Sequence, residues 1–352
     1  MAKKVLVTGI TGYIGQHVAA ELLRQKYEVV GTVRSLAKAE NTKSALSSLP
    51  GASNVKYVQA DVLSDSGWTE AMNGCEFVIH LASPFLLAEP KDENVMITPA
   101  VEGTKRVIKT AIKAGIKRVV LTSSVVSMTS GRLSGTYGPD SWSDVNQNIG
   151  AYAKSKTLAE KAAWETVKGS SMELVAINPG FVLGPSLGTS GDGTSEAMIA
   201  NLIGGKMPAI PDIAMGMVDV RDISRLHVAA LEAPKAAGKR FIAASSQPVA
   251  MAYLAETLKK AGYKKVPSLK APNFAIKLMA LFDREAKGMV PNLGVKIAYD
   301  NHETIDIRNH SLRLTIKESH ELDGEVRSLA RWHLFVACFL KRSGQIRHCY
   351  WL

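Results

Sequence analysis

With 352 residues, 46% hydrophobic and 21% charged, the chain has an ordinary globular balance, and no apolar run is long enough to span a bilayer. The net charge is +11 (pI near 9.4), but its lysines and arginines are dispersed, without basic runs or interleaved aromatics; this argues against nucleic acid and suits a small polyanionic ligand. Three cysteines without paired spacing argue against a disulfide framework or zinc site, and no secretory apolar region precedes the first strand, so the expected compartment is the cytoplasm.

Residues 5–8 (VLVT) read as a buried strand ended by Gly9, and Val18, Leu22 and Leu23 share one face of a helix predicted over 13–25. Strands are predicted at 28–33, 55–59 and 77–81. A helix at 98–114, a strand at 118–123, a helix at 151–168 and a strand at 173–177 follow. This alternation predicts an α/β fold: a doubly wound parallel sheet of Rossmann type, covered by helices on both faces and joined by right-handed crossovers. After Phe181, glycine, proline and methionine become frequent as far as Pro211. A strand at 240–244 is expected to return to the sheet, and helices at 251–261 and 273–282 to form a smaller C-terminal substrate lobe. The expected division is 1–180 for the core, 181–215 for a lobe segment, 216–245 for a return to the core, 246–307 for the lobe and 308–352 for a divergent tail. Five of the eight histidines lie from His302 onward, without metal-ligand spacing, so no metal site is expected.

Gly9, Gly12 and Gly15 lie between the first strand and the first helix. In that context Gly9 permits the tight turn, Gly12 lets a pyrophosphate approach the backbone, and Gly15 lets the helix pack against the sheet. The helix N-terminus then offers free N–H groups to phosphate. At the end of the second strand stands Arg34, with Lys38 one turn on, where an acidic residue would receive ribose hydroxyls. Two cations there suit a 2′-phosphate, so the expected cofactor is NADPH/NADP+ and not NADH. Asp61, after the third strand, is placed either to meet the adenine edge or to remain a solvated loop carboxylate.

Tyr152 and Lys156 are four apart on a predicted helix and share a face, while Ser123 and Ser124 end a strand at the C-terminal edge of the sheet. A carbonyl that accepts hydride needs a proton donor and a hydrogen bond to its oxygen. A free tyrosine, with a pKa of about 10, is a reluctant donor, and a nearby ammonium favours its phenolate. A serine hydroxyl then orients and stabilises the carbonyl oxygen. Apolar residues surround this triad in sequence: Phe85, Val125, Val126, Met128, Phe181, Met215 and Met217. They suit either a small-molecule pocket or core packing. The pocket reading favours a medium-sized apolar aldehyde or ketone, with no lysine or arginine in these segments aimed at a nucleotide or acyl-CoA phosphate.

The stretches "CEFVIHLASP", "PAVEGTKRVIKTA", "AYAKSKTLAEKAAW", "NPGFVLGP" and "AYDNHET" resemble the dihydroflavonol 4-reductase-like branch of the extended short-chain dehydrogenases/reductases, over roughly residues 3–307. The resemblance implies Ser124, Tyr152 and Lys156 as the catalytic triad. It implies Gly9, Thr11, Gly12, Tyr13, Ile14 and Gly15 as the phosphate loop, Arg34 and Lys38 as 2′-phosphate contacts, and Asp61 and Val62 at the adenine. It further implies Leu81, Ala82, Ser83, Pro179, Gly180, Val182 and Ser195 along the cofactor. Ala100 stands where many sugar-nucleotide epimerases have asparagine, and no segment between Ser130 and Asn148 matches the one that reads flavonoid hydroxyls. The expected activity is NADPH-dependent carbonyl reduction by a monomer or homodimer. The alternatives are an NADP-linked alcohol or hydroxysteroid dehydrogenase and a non-catalytic NADP sensor.

Overall fold

The computed structural model describes residues 2–83, 89–187 and 194–304. Short β-branched and aliphatic runs make the central sheet: β1 (Lys4–Thr8), β2 (Glu28–Val33), β3 (Lys56–Gln59), β4 (Phe77–His80), β5 (Arg118–Thr122), β6 (Glu173–Pro179) and β7 (Arg240–Ala243). All seven are parallel, in the order β3-β2-β1-β4-β5-β6-β7. The winding reverses between β1 and β4, where Thr8 lies opposite His80, so a crevice opens beyond the C-terminal ends of those strands.

Among the described residues, helices of ten residues or more are α1 (Tyr13–Arg24), α2 (Asn94–Lys113), α3 (Ala151–Val167), α4 (Thr194–Ile203), α5 (Val220–Glu232) and α6 (Met251–Lys260). Side chains alternate across the sheet. Val5 and Val7 pack with Val18 and Leu22 of α1 and Ile223 and Leu226 of α5. Leu6 and Val78 face the other way, onto Val107 and Ile108 of α2 and Ala163 of α3. Both faces are therefore covered, as a parallel sheet requires. A third apolar cluster joins Ile199 and Leu202 of α4, Met217, and Leu254 and Leu258 of α6.

Three elements differ from the sequence reading. The helix expected from residue 98 starts at Asn94, because Asp92 accepts the Asn94 N–H at 3.0 Å and opens the turn early; Pro99 is then inside the helix. The expected helix 273–282 ends early, at Met279, and beyond it Asp283 caps a separate helix over Arg284–Met289. Helix α5 had no counterpart in the reading, although Asp219 caps it through the Arg221 N–H at 2.7 Å and Val220, Ile223, Leu226 and Ala230 carry helical spacing. Strand Lys296–Tyr299 pairs in parallel with Ser134–Tyr137, and beyond it Asn301 donates to Ala244 O and Thr304 to Ile242 O, both at 2.8 Å. The tail expected from residue 308 lies outside the described residues. Among the described residues no helix is long and apolar enough to cross a membrane.

Candidate active site

The turn from β1 to α1 is built for an anion. Gly9 has φ +67°, and a Cβ on Gly15 would lie 2.2 Å from Gly9 O, so neither position admits a side chain without rebuilding the turn. Gly12 is the N-cap, no side chain caps α1, and its first turn holds no acidic residue. The leading N–H groups at Tyr13, Ile14 and Gly15 therefore face the crevice end of the helix without a carboxylate competitor. Thr11, half-buried, completes the loop.

A residue absent from the sequence reading, Thr8, organises the far side of this loop. Its hydroxyl accepts the Leu81 N–H (3.1 Å) and the Ala82 N–H (3.0 Å) and sits 2.8 Å from His80 Nδ1. With both acceptor positions used, its one proton goes to Nδ1, which leaves the imidazole proton on Nε2. Leu81, Ala82 and Ser83 are thereby held against the glycine turn, and a Cβ on Gly9 would touch the Ala82 backbone at 3.1 Å. Burial, aided by Lys156, pushes the His80 pKa down to about 3, so this ring is neutral.

Arg34 and Lys38 are both exposed past the end of β2, and neither side chain has a hydrogen bond or ion pair among the described residues. Asp61 is half-buried past the end of β3, with Oδ1 accepting the Leu63 N–H at 3.0 Å. Val62 beside it is fixed by α2: Gly103 leaves room for its side chain, and Arg106 donates to its carbonyl.

Ser124, Tyr152 and Lys156 converge at the C-terminal edge of β5. The Ser124 hydroxyl hydrogen-bonds the Tyr152 phenol oxygen; burial raises the Tyr152 pKa, and this bond opposes the rise. The electrostatic help to the phenolate in this structure thus comes from Ser124. Lys156, one turn further along α3, is only 9% exposed, and its ammonium has no hydrogen-bond partner among the described residues. Burial pushes its pKa down to about 8, and the Glu160 carboxylate opposes that fall. A largely buried ammonium gains from ligand hydroxyls that complete its shell. The ribose hydroxyls of a nicotinamide nucleotide fit that requirement, as the uncapped α1 fits its pyrophosphate.

The segment after β6 closes in on the triad. Ser124 Oγ lies 3.4 Å from Pro179 O, and the Val125 N–H donates to the same carbonyl at 3.0 Å. A Cβ on Gly180 would lie 2.1 Å from Gly216 O, so Gly180 lets the paired strands Phe181–Leu183 and Met217–Asp219 leave the sheet side by side. Val182 is buried in the core cluster, and Phe181 packs half-buried on the lobe cluster. Helix α1 holds the chain beyond: the Tyr13 hydroxyl donates to Gly184 O (2.7 Å), and His17 Nε2 donates to Pro185 O (2.8 Å). Ser195 is half-buried on α4. Val125 and Met128 lie in a cluster with Ile242, Ala244, Ile297 and Tyr299. Met128 is fully buried there, so it supports the wall from behind instead of facing the cleft. Phe85 lies outside the described residues.

The model of the NAD dependent epimerase/dehydratase family matches residues 5–244. Cinnamoyl-CoA reductase 2 of Arabidopsis thaliana is 37% identical over 248 residues, covering 68% of this chain and 73% of the relative. Dihydroflavonol 4-reductase of Gerbera hybrida is 34% identical over 255 residues, 68% of each chain. Among solved structures, Gre2 of Candida albicans in complex with NADPH superposes with a TM-score of 0.71 at 25% identity, covering 94% of this chain and 99% of that one.

Proposed function

Because the chain belongs to the NAD dependent epimerase/dehydratase family, among the extended short-chain dehydrogenases/reductases and close to their dihydroflavonol and cinnamoyl-CoA reductases, we propose that it is an NADPH-dependent reductase of medium-sized apolar aldehydes or ketones that uses Ser124, Tyr152 and Lys156. One observation carries the reading: the Ser124–Tyr152 hydrogen bond lies one helical turn from the largely buried Lys156, at the sheet edge where the glycine loop opens. NADPH, when bound, supplies the hydride. Arg34 and Lys38 hold its 2′-phosphate, and the N–H groups of α1 hold its pyrophosphate. Asp61 and Val62 take the adenine side, and Leu81, Ala82, Ser83 and Pro179–Val182 line its path.

Ser124 donates to the substrate oxygen and fixes its distance from the phenol. Tyr152 gives the proton to that oxygen as negative charge develops there. In this reading Lys156 holds the ribose and stabilises the phenolate left behind once the cofactor is in place. Apolar recognition is supported by half-buried Phe181 and Met215 on the lobe cluster. The test is NADPH oxidation at 340 nm with a panel of alkyl and aryl ketones, aldehydes, hydroxylated flavonoids, acyl-CoA esters and UDP-sugars. The highest kcat/KM is expected among apolar aldehydes and ketones. A UDP-sugar or highly hydroxylated substrate at the top of the ranking overturns the assignment.

A further inference from the structure

Behind the triad lies a buried polar cluster that the reaction as proposed does not use. Glu160 is four residues after Lys156 and eight after Tyr152, on the same face of α3. Its side chain is 0% exposed, and that of Arg240, its ion-pair partner from β7, 8%. Arg240 Nε donates to Glu160 Oε1 at 2.6 Å. Ser123 Oγ lies 2.5 Å and Ser127 Oγ 2.6 Å from Glu160 Oε2, and Asn178 Nδ2 donates to the same oxygen at 2.9 Å. Arg240 is satisfied elsewhere too: Nη1 donates to Pro139 O and Ser141 O, both at 2.6 Å, and the guanidinium stacks 3.7 Å over the Trp142 ring.

This cluster reaches the catalytic serine through its backbone. Ser124 O accepts the Ser127 N–H at 3.0 Å and Asn178 Nδ2 at 3.2 Å, with the Ser127 hydroxyl 2.8 Å away. Two residues that bond Glu160, Ser127 and Asn178, therefore hold the Ser124 carbonyl.

We infer that Glu160, anchored by Arg240, is a positioning residue for this site: it holds Ser124 in place and supplies the buried negative charge against which Lys156 works. The inference rests on the Ser–Tyr–Lys reading above. Burial pushes the Glu160 pKa up, but Arg240 and the two serine hydroxyls outweigh it and hold the carboxyl below its usual range. Around Lys156, Glu160 opposes the burial that drives the ammonium toward neutrality. His80 from β4, the other group that interacts with Lys156, is neutral across the working range. A buried ion pair is a weak source of stability, since desolvation offsets its attraction. Its value here is in where it puts charge and where it pins the chain.

The experiment is the pH profile of turnover at saturating NADPH. In the wild type the alkaline limb follows loss of the Lys156 proton. Glu160→Gln should move that limb down by about half a pH unit or more. The double change Glu160→Gln/Arg240→Gln, which leaves no unpaired buried charge, should move it likewise. Arg240→Gln alone lowers turnover without moving the limb down, and Glu160→Asp, which keeps the charge, restores its wild-type position. A limb that stays in place in both the single Glu160→Gln protein and the double variant, or that moves down equally in Arg240→Gln, overturns the inference. A merely structural role would lower Tm and turnover at every pH and leave the limb fixed. Tyr152→Phe is measured in parallel. Near-normal turnover there counts against the triad itself, whereas a large loss there with an unmoved limb in Glu160→Gln counts against Glu160 alone.

Discussion

Replacing Arg34 by alanine isolates the cofactor assignment. The side chain is exposed and has no internal partner among the described residues, so its removal breaks no contact of the folded protein. Stability should therefore change by no more than about 0.5 kcal/mol, the ordinary range for surface positions. In the complex, a charge-assisted bond to phosphate contributes roughly 1.5–3 kcal/mol, or about 10- to 150-fold in affinity. The exposed setting admits water and salt and places the expectation near the lower end, about tenfold. The Michaelis constant for NADPH should rise by that factor while the constant for NADH stays nearly unchanged. The wild-type preference for NADPH should also shrink as ionic strength rises, and the variant should show less of that dependence. Both constants come from initial rates at 340 nm with one saturating carbonyl substrate. Equal effects on the two cofactors would refute the assignment of Arg34 to a 2′-phosphate.

Two pH predictions follow from buried groups. His17, His80 and His227 are held neutral, with pKa values pushed down to about 4, 3 and 4 chiefly by burial. Between the ordinary 6.5 and those values the unfolded chain binds protons the folded protein does not, so Tm should fall steadily as pH drops from 6.5 to about 4. A flat Tm over that range would contradict the assignment. Lys156 has its pKa lowered from 10.5 to about 8, so its contribution to stability grows with pH across that window while turnover declines above its lower end; turnover undiminished at pH 9 would count against a working ammonium. Truncation before Arg308 should leave NADPH binding intact, because the described chain is already fastened to β7 through Asn301 and Thr304; insoluble or non-binding protein would show that the tail completes the core.

What was legible in the sequence was whatever depends on local spacing. The glycine turn, the period-two strands and the Tyr152–Lys156 pair are short-range patterns, and their consequences appear in the structure as a turn closed by Gly9 and Gly15 and a shared face on α3. What escaped depends on partners distant in sequence. Thr8 looked like the last residue of a strand, and only the parallel pairing of β1 with β4 gives its hydroxyl the Leu81 and Ala82 amides. Glu160 drew no reading from the sequence; it is buried where β7, eighty residues later, brings Arg240. Met128 follows Ser124 in sequence and so suggested a pocket wall, but the short helix Val126–Thr129 turns it into the core. Helix α5 was missed for a different reason. Its cap and apolar spacing are readable, but the surrounding glycine- and methionine-rich stretch obscured them.

In the proposed reaction Tyr152 passes the proton during NADPH-dependent carbonyl reduction. The most direct measurement compares wild-type and Tyr152→Phe proteins under saturating NADPH, following oxidation at 340 nm with the best apolar ketone or aldehyde and titrating NADPH fluorescence for binding. Removing one hydroxyl should lower kcat at least about a hundredfold, roughly 2.7 kcal/mol of transition-state stabilisation, with the dissociation constant for NADPH nearly unchanged. Turnover near that of the wild type, with NADPH bound, would contradict the account.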